Sequence, residues 1–244
     1  MSRLTKFLRE RKAGPRLNLE DRYRELIVRL AAGKSFVDVG CLWKVHGAYA
    51  LHAAATGAAR VVGFDINEPT AEFQAANAAA GGRVEFVGGD LLAPDFPAHV
   101  GVFDVVFCVS VVQHLPDPIR ALLQLRRICG RSAIIGIPTI PERDDLPHAA
   151  VYLPFLDDAE RQALRPVVGI DGFKPAVDNP FRGDTGYANW FWSVTPSCAR
   201  AMLRTAGFDV AEAHEYPRYG CYVCTPTAGG LPLEGPGDVR PLRS

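Results

Sequence analysis

The period of the apolar positions changes several times along this chain, and each change marks an element. Behind Asn18, the residues Tyr23, Leu26, Ile27, Leu30 and Ala31 recur at i, i+3 and i+4. That is the spacing of one buried helix face, and Asn18 stands where a capping side chain belongs. Short apolar runs follow at about 35–39, 60–65, 83–89, 103–110 and 132–138. The fourth, FDVVFCVS, is nearly all apolar, as a strand covered on both faces must be. Helical stretches separate the runs near 47–56, 69–80 and from Pro118 to Cys129, with Gly57 and Gly81-Gly82 as stops and Pro69 and Pro118 at early positions.

This strand and helix alternation predicts an α/β fold, a doubly wound and mostly parallel sheet with helices on both faces. The alternation fails over 139–190, where prolines, acids and aromatics show no period. So long an irregular stretch points to a functional cover or to an unread element. Order returns at TPSCARAMLRTAGF, with Thr195 as cap, Pro196 at the first helical position and Gly207 as stop. Two last runs, about 208–215 and 218–224, stand so close that they must pair antiparallel at the sheet edge. The expected sheet is therefore seven-stranded with a terminal antiparallel strand. The domain division that follows is an N-terminal arm and helix at 1–34, a main domain at 35–224 with an insertion at 139–190, and a mobile Gly- and Pro-rich tail at 225–244.

Composition narrows the role. In 244 residues, 27 lysines and arginines balance 27 aspartates and glutamates, which counts against a chain that clamps nucleic acid by its phosphates. The first residues, MSRLTKFLRERKAG, lack the apolar core of a secretory signal, and no stretch approaches the 18 apolar residues of a membrane span. Leu4, Phe7 and Leu8 could stripe a short basic helix, for which a docked or frayed arm is the expected state. Six cysteines scattered through apolar runs read as reduced thiols of a cytoplasmic protein. The Cys221-Tyr-Val-Cys224 spacing does not make a metal site on a strand, where positions three apart face opposite ways.

The first strand leads into Gly40-Cys41-Leu42-Trp43-Lys44-Val45-His46-Gly47. A glycine turn, a following helix N-terminus and Asp65 at the end of the second strand are parts of a nucleoside-binding crevice. The turn is not G-x-G-x-x-G, so the close cradle for a dinucleotide pyrophosphate is missing, which disfavours an NAD-dependent oxidoreductase. Asp38, two residues before Gly40, suits a ligand with an ammonium group, Asp90 can bond an adenine amino group, and Ser110 to His114 lie at the mouth of the fourth strand in FDVVFCVSVVQHLPDP.

As a set, over about 35–137, these motifs resemble the class I S-adenosylmethionine-dependent methyltransferases. The resemblance implies that Asp38, Gly40, Cys41, Gly47, Asp65, Asp90, Ser110 and Val111 line S-adenosyl-L-methionine, with Ile66, Gly89 and Leu91 beside them, while Trp43 and His46 in the longer turn are candidates to touch the cofactor or to cap the acceptor cavity. The longer first turn and the late NWFWSVTPSCARAMLRTAGF look like a branch holding tRNA wobble-uridine-modifying relatives and sugar or natural-product O-methyltransferases. The expected activity is methyl transfer to a hydroxyl of a small molecule, with a sugar-like acceptor favoured. The rivals are a tRNA-modifying methyltransferase and a binding module without turnover.

A hydroxyl acceptor needs its proton removed near neutral pH, which suits imidazole. His148, after the fifth strand, is the first candidate base, with Glu142, Asp144 and Asp145 beside it to orient it or to hold a divalent cation such as magnesium; His114 is the second. Tyr187, Trp190 and Trp192 are candidate acceptor-binding residues, in an aromatic stretch with Phe173, Lys174, Asp178, Asn179 and Phe181 that suits stacking on a polyol.

Overall fold

The computed structural model describes residues 18–168 and 181–229. The basic arm with Leu4, Phe7 and Leu8, the residues Phe173, Lys174, Asp178 and Asn179, and the tail beyond residue 229 lie outside the described residues. The first described helix, α1 (Leu19–Ala31), starts where expected: the Asn18 side chain accepts from the Asp21 backbone N–H at 2.9 Å, and Tyr23, Leu26, Ile27 and Ala31 are buried. The following elements are β1 (Ser35–Val39), α2 (Ala48–Ala55), β2 (Arg60–Asp65), α3 (Ala71–Ala79), β3 (Val84–Gly88), α4 (Phe96–Val100), β4 (Phe103–Val109), α5 (Pro118–Ile128) and β5 (Cys129–Pro138). After these come β6 (Ala150–Tyr152), α6 (Asp158–Val168), β7 (Trp192–Val194), α7 (Pro196–Thr205), β8 (Phe208–Tyr216) and β9 (Tyr219–Pro226).

Seven strands form one sheet in the order β3-β2-β1-β4-β5-β9-β8. The pairs from β3 to β5 are parallel, whereas β9 runs antiparallel between β5 and β8. The expected hairpin is therefore at the edge, but its antiparallel strand lies one place inside it. Side chains alternate across the sheet. Phe36, Val105, Phe107, Ile134, Cys221 and Val223 pack with α1 and α2 on one face. Val37, Val39, Val106, Cys108, Ile135, Tyr222 and Cys224 pack with α4, α5 and α7 on the other. A sheet covered on both sides explains why β4 is apolar throughout.

Several expectations are corrected. Of the two readings of segment 139–190, the structure bears out unread elements: it holds β6, α6 and a 3-10 turn at Gly183–Ala188, and β6 pairs with β7 as a separate two-stranded sheet. Its elements are too short, and too interrupted by Pro154 and Pro166, for a period to emerge from sequence. The Pro-rich loop after β3 contains α4, with a proline in its first turn where no N–H is needed. The fifth strand starts at Cys129, directly against the end of α5, rather than at 132. The tail does not begin at 225, because Thr225 and Pro226 still pair with Asp209 and Phe208.

Cys221 and Cys224 face opposite cores, and among the described residues no group of His, Cys, Asp or Glu could hold a metal ion. All six cysteines are free and buried, and burial raises every one of their thiols above the usual range. A thiol-reactive dye at pH 8 should label on the order of zero to one cysteine in the native protein and about six after denaturation. Rapid native labelling at several positions would contradict this packing.

Candidate functional site

The sheet order reverses between β1 and β4, so the turns that leave these strands open a crevice at their carboxyl ends. The turns meet closely. Gly40 has a φ of +82°, and a Cβ there would sit 2.3 Å from Cγ2 of Val111. Only glycine satisfies both demands. The long first turn folds back on itself: the Gly40 N–H donates to the Phe64 carbonyl at 2.7 Å and the Gly47 N–H to the Cys41 carbonyl at 2.7 Å. Gly47, with φ of +75° and Phe73 pressed against it, hands the chain to α2. Lys44 and His46 also have positive φ, a cost kept where the surroundings over-determine the backbone.

Three carboxylates stand along this edge, each tied to a turn. Asp65, 5% exposed at the end of β2, accepts from the Leu42 N–H at 2.8 Å and through its other oxygen from Asn67 N and Nδ2, both at 2.9 Å. It thus holds the tip of the first turn against β2. Asp90 accepts from the Leu92 N–H at 2.8 Å and from the Tyr187 hydroxyl at 2.9 Å. Asp38 is 2% exposed and one of its oxygens has no partner. Burial pushes its carboxyl up to about 7 against a backbone N–H from Ala50, and the nearby Asp65 charge adds to the rise.

The mouth of β4 carries the second half of the site. Ser110, with φ of +56°, bonds the buried Tyr219 hydroxyl at 2.7 Å. His114 ends a 3-10 turn (Val112–His114), and its Nδ1 lies 2.8 Å from the Asn189 carbonyl. A carbonyl only accepts, so Nδ1 carries the hydrogen and the neutral ring keeps a lone pair on Nε2. Burial lowers the His114 pKa, the Asn189 bond opposes the fall, and the net shift favours the neutral ring. Trp190 stands edge-on to this imidazole at 5.4 Å. Trp192 donates from Nε1 to the Pro116 carbonyl at 3.2 Å and stacks obliquely on Tyr152.

The structure gathers some expected residues and disperses others. Cys41 and Leu91 are core side chains that can offer a ligand only backbone. His46 bonds the Thr70 hydroxyl at 3.0 Å and so joins the turn to the cap of α3. Trp43 and Ile66 are exposed at the rim, and Gly89 donates to the Asp65 carbonyl at 2.9 Å. His148 lies on an exposed turn with φ of +56°, where its backbone N–H meets the Ser197 hydroxyl. Glu142 takes the Ser197 N–H at 2.9 Å and hydroxyl at 2.6 Å, which caps α7, and Asp145 pairs with Arg143. Glu142 is thus engaged with α7 and Asp145 with its neighbour Arg143, rather than with the His148 side chain. Sequence reading missed Asn189, whose carbonyl settles the His114 tautomer, and it gave Tyr187 a role toward the acceptor rather than toward Asp90.

Comparison with known proteins agrees with this layout. A family model described as a methyltransferase domain matches residues 37–135, the span from β1 to β5. Residues 37–135 are thus similar to a methyltransferase domain. A tRNA U34 carboxymethyltransferase from Campylobacter jejuni is 29% identical over 114 residues, 46% of this chain and 37% of that protein. A ubiquinone biosynthesis O-methyltransferase from Nitrosospira multiformis is 26% identical over 200 residues, 81% of this chain and 70% of that protein. The chain therefore spans little more than a third of the first relative and over two thirds of the second. The N-terminal domain of EvdMO1 with SAH bound shares the fold at a TM-score of 0.55 and 18% identity, covering 88% of this chain and 82% of that one.

The residues present fit S-adenosylmethionine. The partnerless oxygen of Asp38 suits the ammonium of its amino acid end, and Gly40 leaves the backbone bare where a ligand must come close. Asp65 and Asp90 each keep unused lone pairs, the chemistry that a ribose diol and an adenine amino group would require.

Two expected outcomes follow for the methyltransferase domain. Asp65→Ala should weaken S-adenosylmethionine binding by about ten- to a hundredfold by calorimetry, since charge-assisted bonds contribute roughly 1.5–3 kcal/mol each. Unchanged affinity would dismiss Asp65 as the ribose acid. The second concerns Asp38, whose carboxyl is raised on folding, so the folded protein binds more protons than the unfolded chain between about pH 4 and pH 7. Stability from this group is present below that window and lost as pH rises through it. Asp38→Asn should therefore gain on the order of 1–3 kcal/mol at pH 8 relative to wild type in denaturant melts without cofactor, and less at pH 4.

Proposed function

We propose that the protein is an O-methyltransferase that transfers the methyl group of S-adenosylmethionine to a hydroxyl of a small molecule, with a sugar or glycoside as the favoured class. The observation that carries this reading is His114, neutral, locked by Asn189 in the tautomer that leaves Nε2 free, and sited at the mouth of β4 beside the cofactor crevice. The bound cofactor supplies a methyl on a positively charged sulfur, which needs no activation but needs alignment with the acceptor. His114 Nε2 would take the proton of the acceptor hydroxyl as that oxygen receives the methyl group. His148 remains the alternative base. Segment 139–190 would serve as the cover that excludes water, with Trp190 and Trp192 toward the acceptor. Buried, unpaired thiols suit a cytoplasmic setting. Among the described residues, no helix is long and apolar enough to cross a membrane.

A tRNA acceptor is the second reading, favoured by the similarity to the carboxymethyltransferase and by Arg120 and Arg127 on the outer face of α5, which line a groove of about 450 Å³. A gel shift with tRNA at several salt concentrations separates the two, because phosphate contacts give a steep salt slope.

The base is tested by paired variants against a panel of sugar and phenolic acceptors. His114→Gln should lower turnover by about 10²–10⁴-fold while binding S-adenosylmethionine normally, and His148→Ala should stay within roughly threefold of wild type. Because burial depresses the His114 pKa, turnover should be level at neutral pH and fall only below the usual histidine range. The reverse ranking of the two variants would return the base to His148, and cofactor binding with no turnover on any acceptor would favour a binding module.

A further inference from the structure

Tyr187, Asn189 and Trp190 belong to one short stretch, yet they reach the two ends of the site. The Tyr187 hydroxyl donates to Asp90, 97 residues away in sequence. The Asn189 carbonyl accepts from His114, 75 residues away, and Trp190 packs against the same imidazole. The stretch is also closed into a stiff loop. The Asn189 side chain accepts from the Arg182 N–H at 3.0 Å and donates to the carbonyls of Arg182 at 2.7 Å and Gly186 at 2.9 Å. One side chain therefore ties both ends of the 3-10 turn that carries Tyr187. Immediately after it, the Phe191 N–H donates to the Gln113 carbonyl at 2.8 Å, beside His114 in the chain.

We infer that this loop couples the cofactor's adenine end to the proton-taking end, with Tyr187 as the positioning residue. Asp90 offers about four lone-pair sites and its protein partners take two, so an adenine amino group can join Tyr187 at the carboxylate rather than replace it. Ordering Asp90 then orders Tyr187, the closed loop passes this on to Asn189 and Trp190, and the His114 ring is held. Burial and the Asn189 bond account for the state of His114, and among the described residues no charged neighbour contributes. At the other end, Asp90 and Arg120 are the charged groups beside Tyr187. The inference rests on the reading of Asp90 as the adenine acid and gives bound cofactor a route to tighten the hold that Asn189 already has on the His114 base.

The test uses the ring nitrogen signals of His114, read by NMR in the full chain with S-adenosylhomocysteine and no turnover. In wild type, saturating S-adenosylhomocysteine should shift and sharpen those signals. In Tyr187→Phe, affinity should fall by roughly three- to tenfold, the loss of one hydrogen bond, and the His114 signals should no longer respond at saturation. Asp90→Asn should break the response in the same way, and serves if the Phe variant fails to fold. A response as large in the variants as in wild type overturns the coupling, as does a wild-type His114 that ignores bound ligand. Turnover of His114→Gln judges the base separately, so either idea can fail alone.

Discussion

The site depends on one close approach, the contact of Gly40 with Val111 where the sheet order reverses. A side chain at position 40 would overlap Val111, and the left-handed backbone there would be strained as well. With no Cβ in the way, the turns after β1 and β4 converge, and their backbones form the floor of a crevice that a cofactor can enter. The first turn can then be held by β2 through Gly40, Cys41 and Leu42, and the second by β5 through the Ser110 N–H to the Gly136 carbonyl. Both turns are fixed by strands next to them, which keeps the site on the rigid part of the fold.

The side chains proposed to bind cofactor also hold the scaffold together. Asp65 anchors Leu42, Asp90 anchors Leu92 and Tyr187, and Ser110 anchors Tyr219. A carboxylate can do this because two or three bonds from its own chain leave acceptor capacity for a ligand. Asp38 is the exception. Its unpartnered buried oxygen is a destabilising feature in the free protein, of the kind an arriving cation can relieve.

Much of the fold was legible because each central strand is covered on both faces and each helix carries a cap or stop in its own sequence. Thr195 in front of Pro196 and Asn18 in front of Leu19 are local signals, and both work as caps in the structure. The acid-lined edge was legible for a similar reason: Asp38, Gly40, Asp65 and Asp90 sit at strand ends, so locating the strands located them. Segment 139–190 was not legible, because β6 and β7 are three residues each and are stabilised by pairing with one another across some forty residues.

Sequence by itself determined the alternating elements, the parallel sheet, the acid-lined crevice and the kind of ligand it admits, because these follow from local period and from residues at strand ends. Tertiary structure alone decided what the catalytic candidates touch. It set His114 against the Asn189 carbonyl, brought Tyr187 to Asp90, and gave Glu142 to Ser197 as a helix cap. Those partners come from 55 to 97 residues away, and no periodicity or spacing encodes a contact made only when the chain has folded over the sheet.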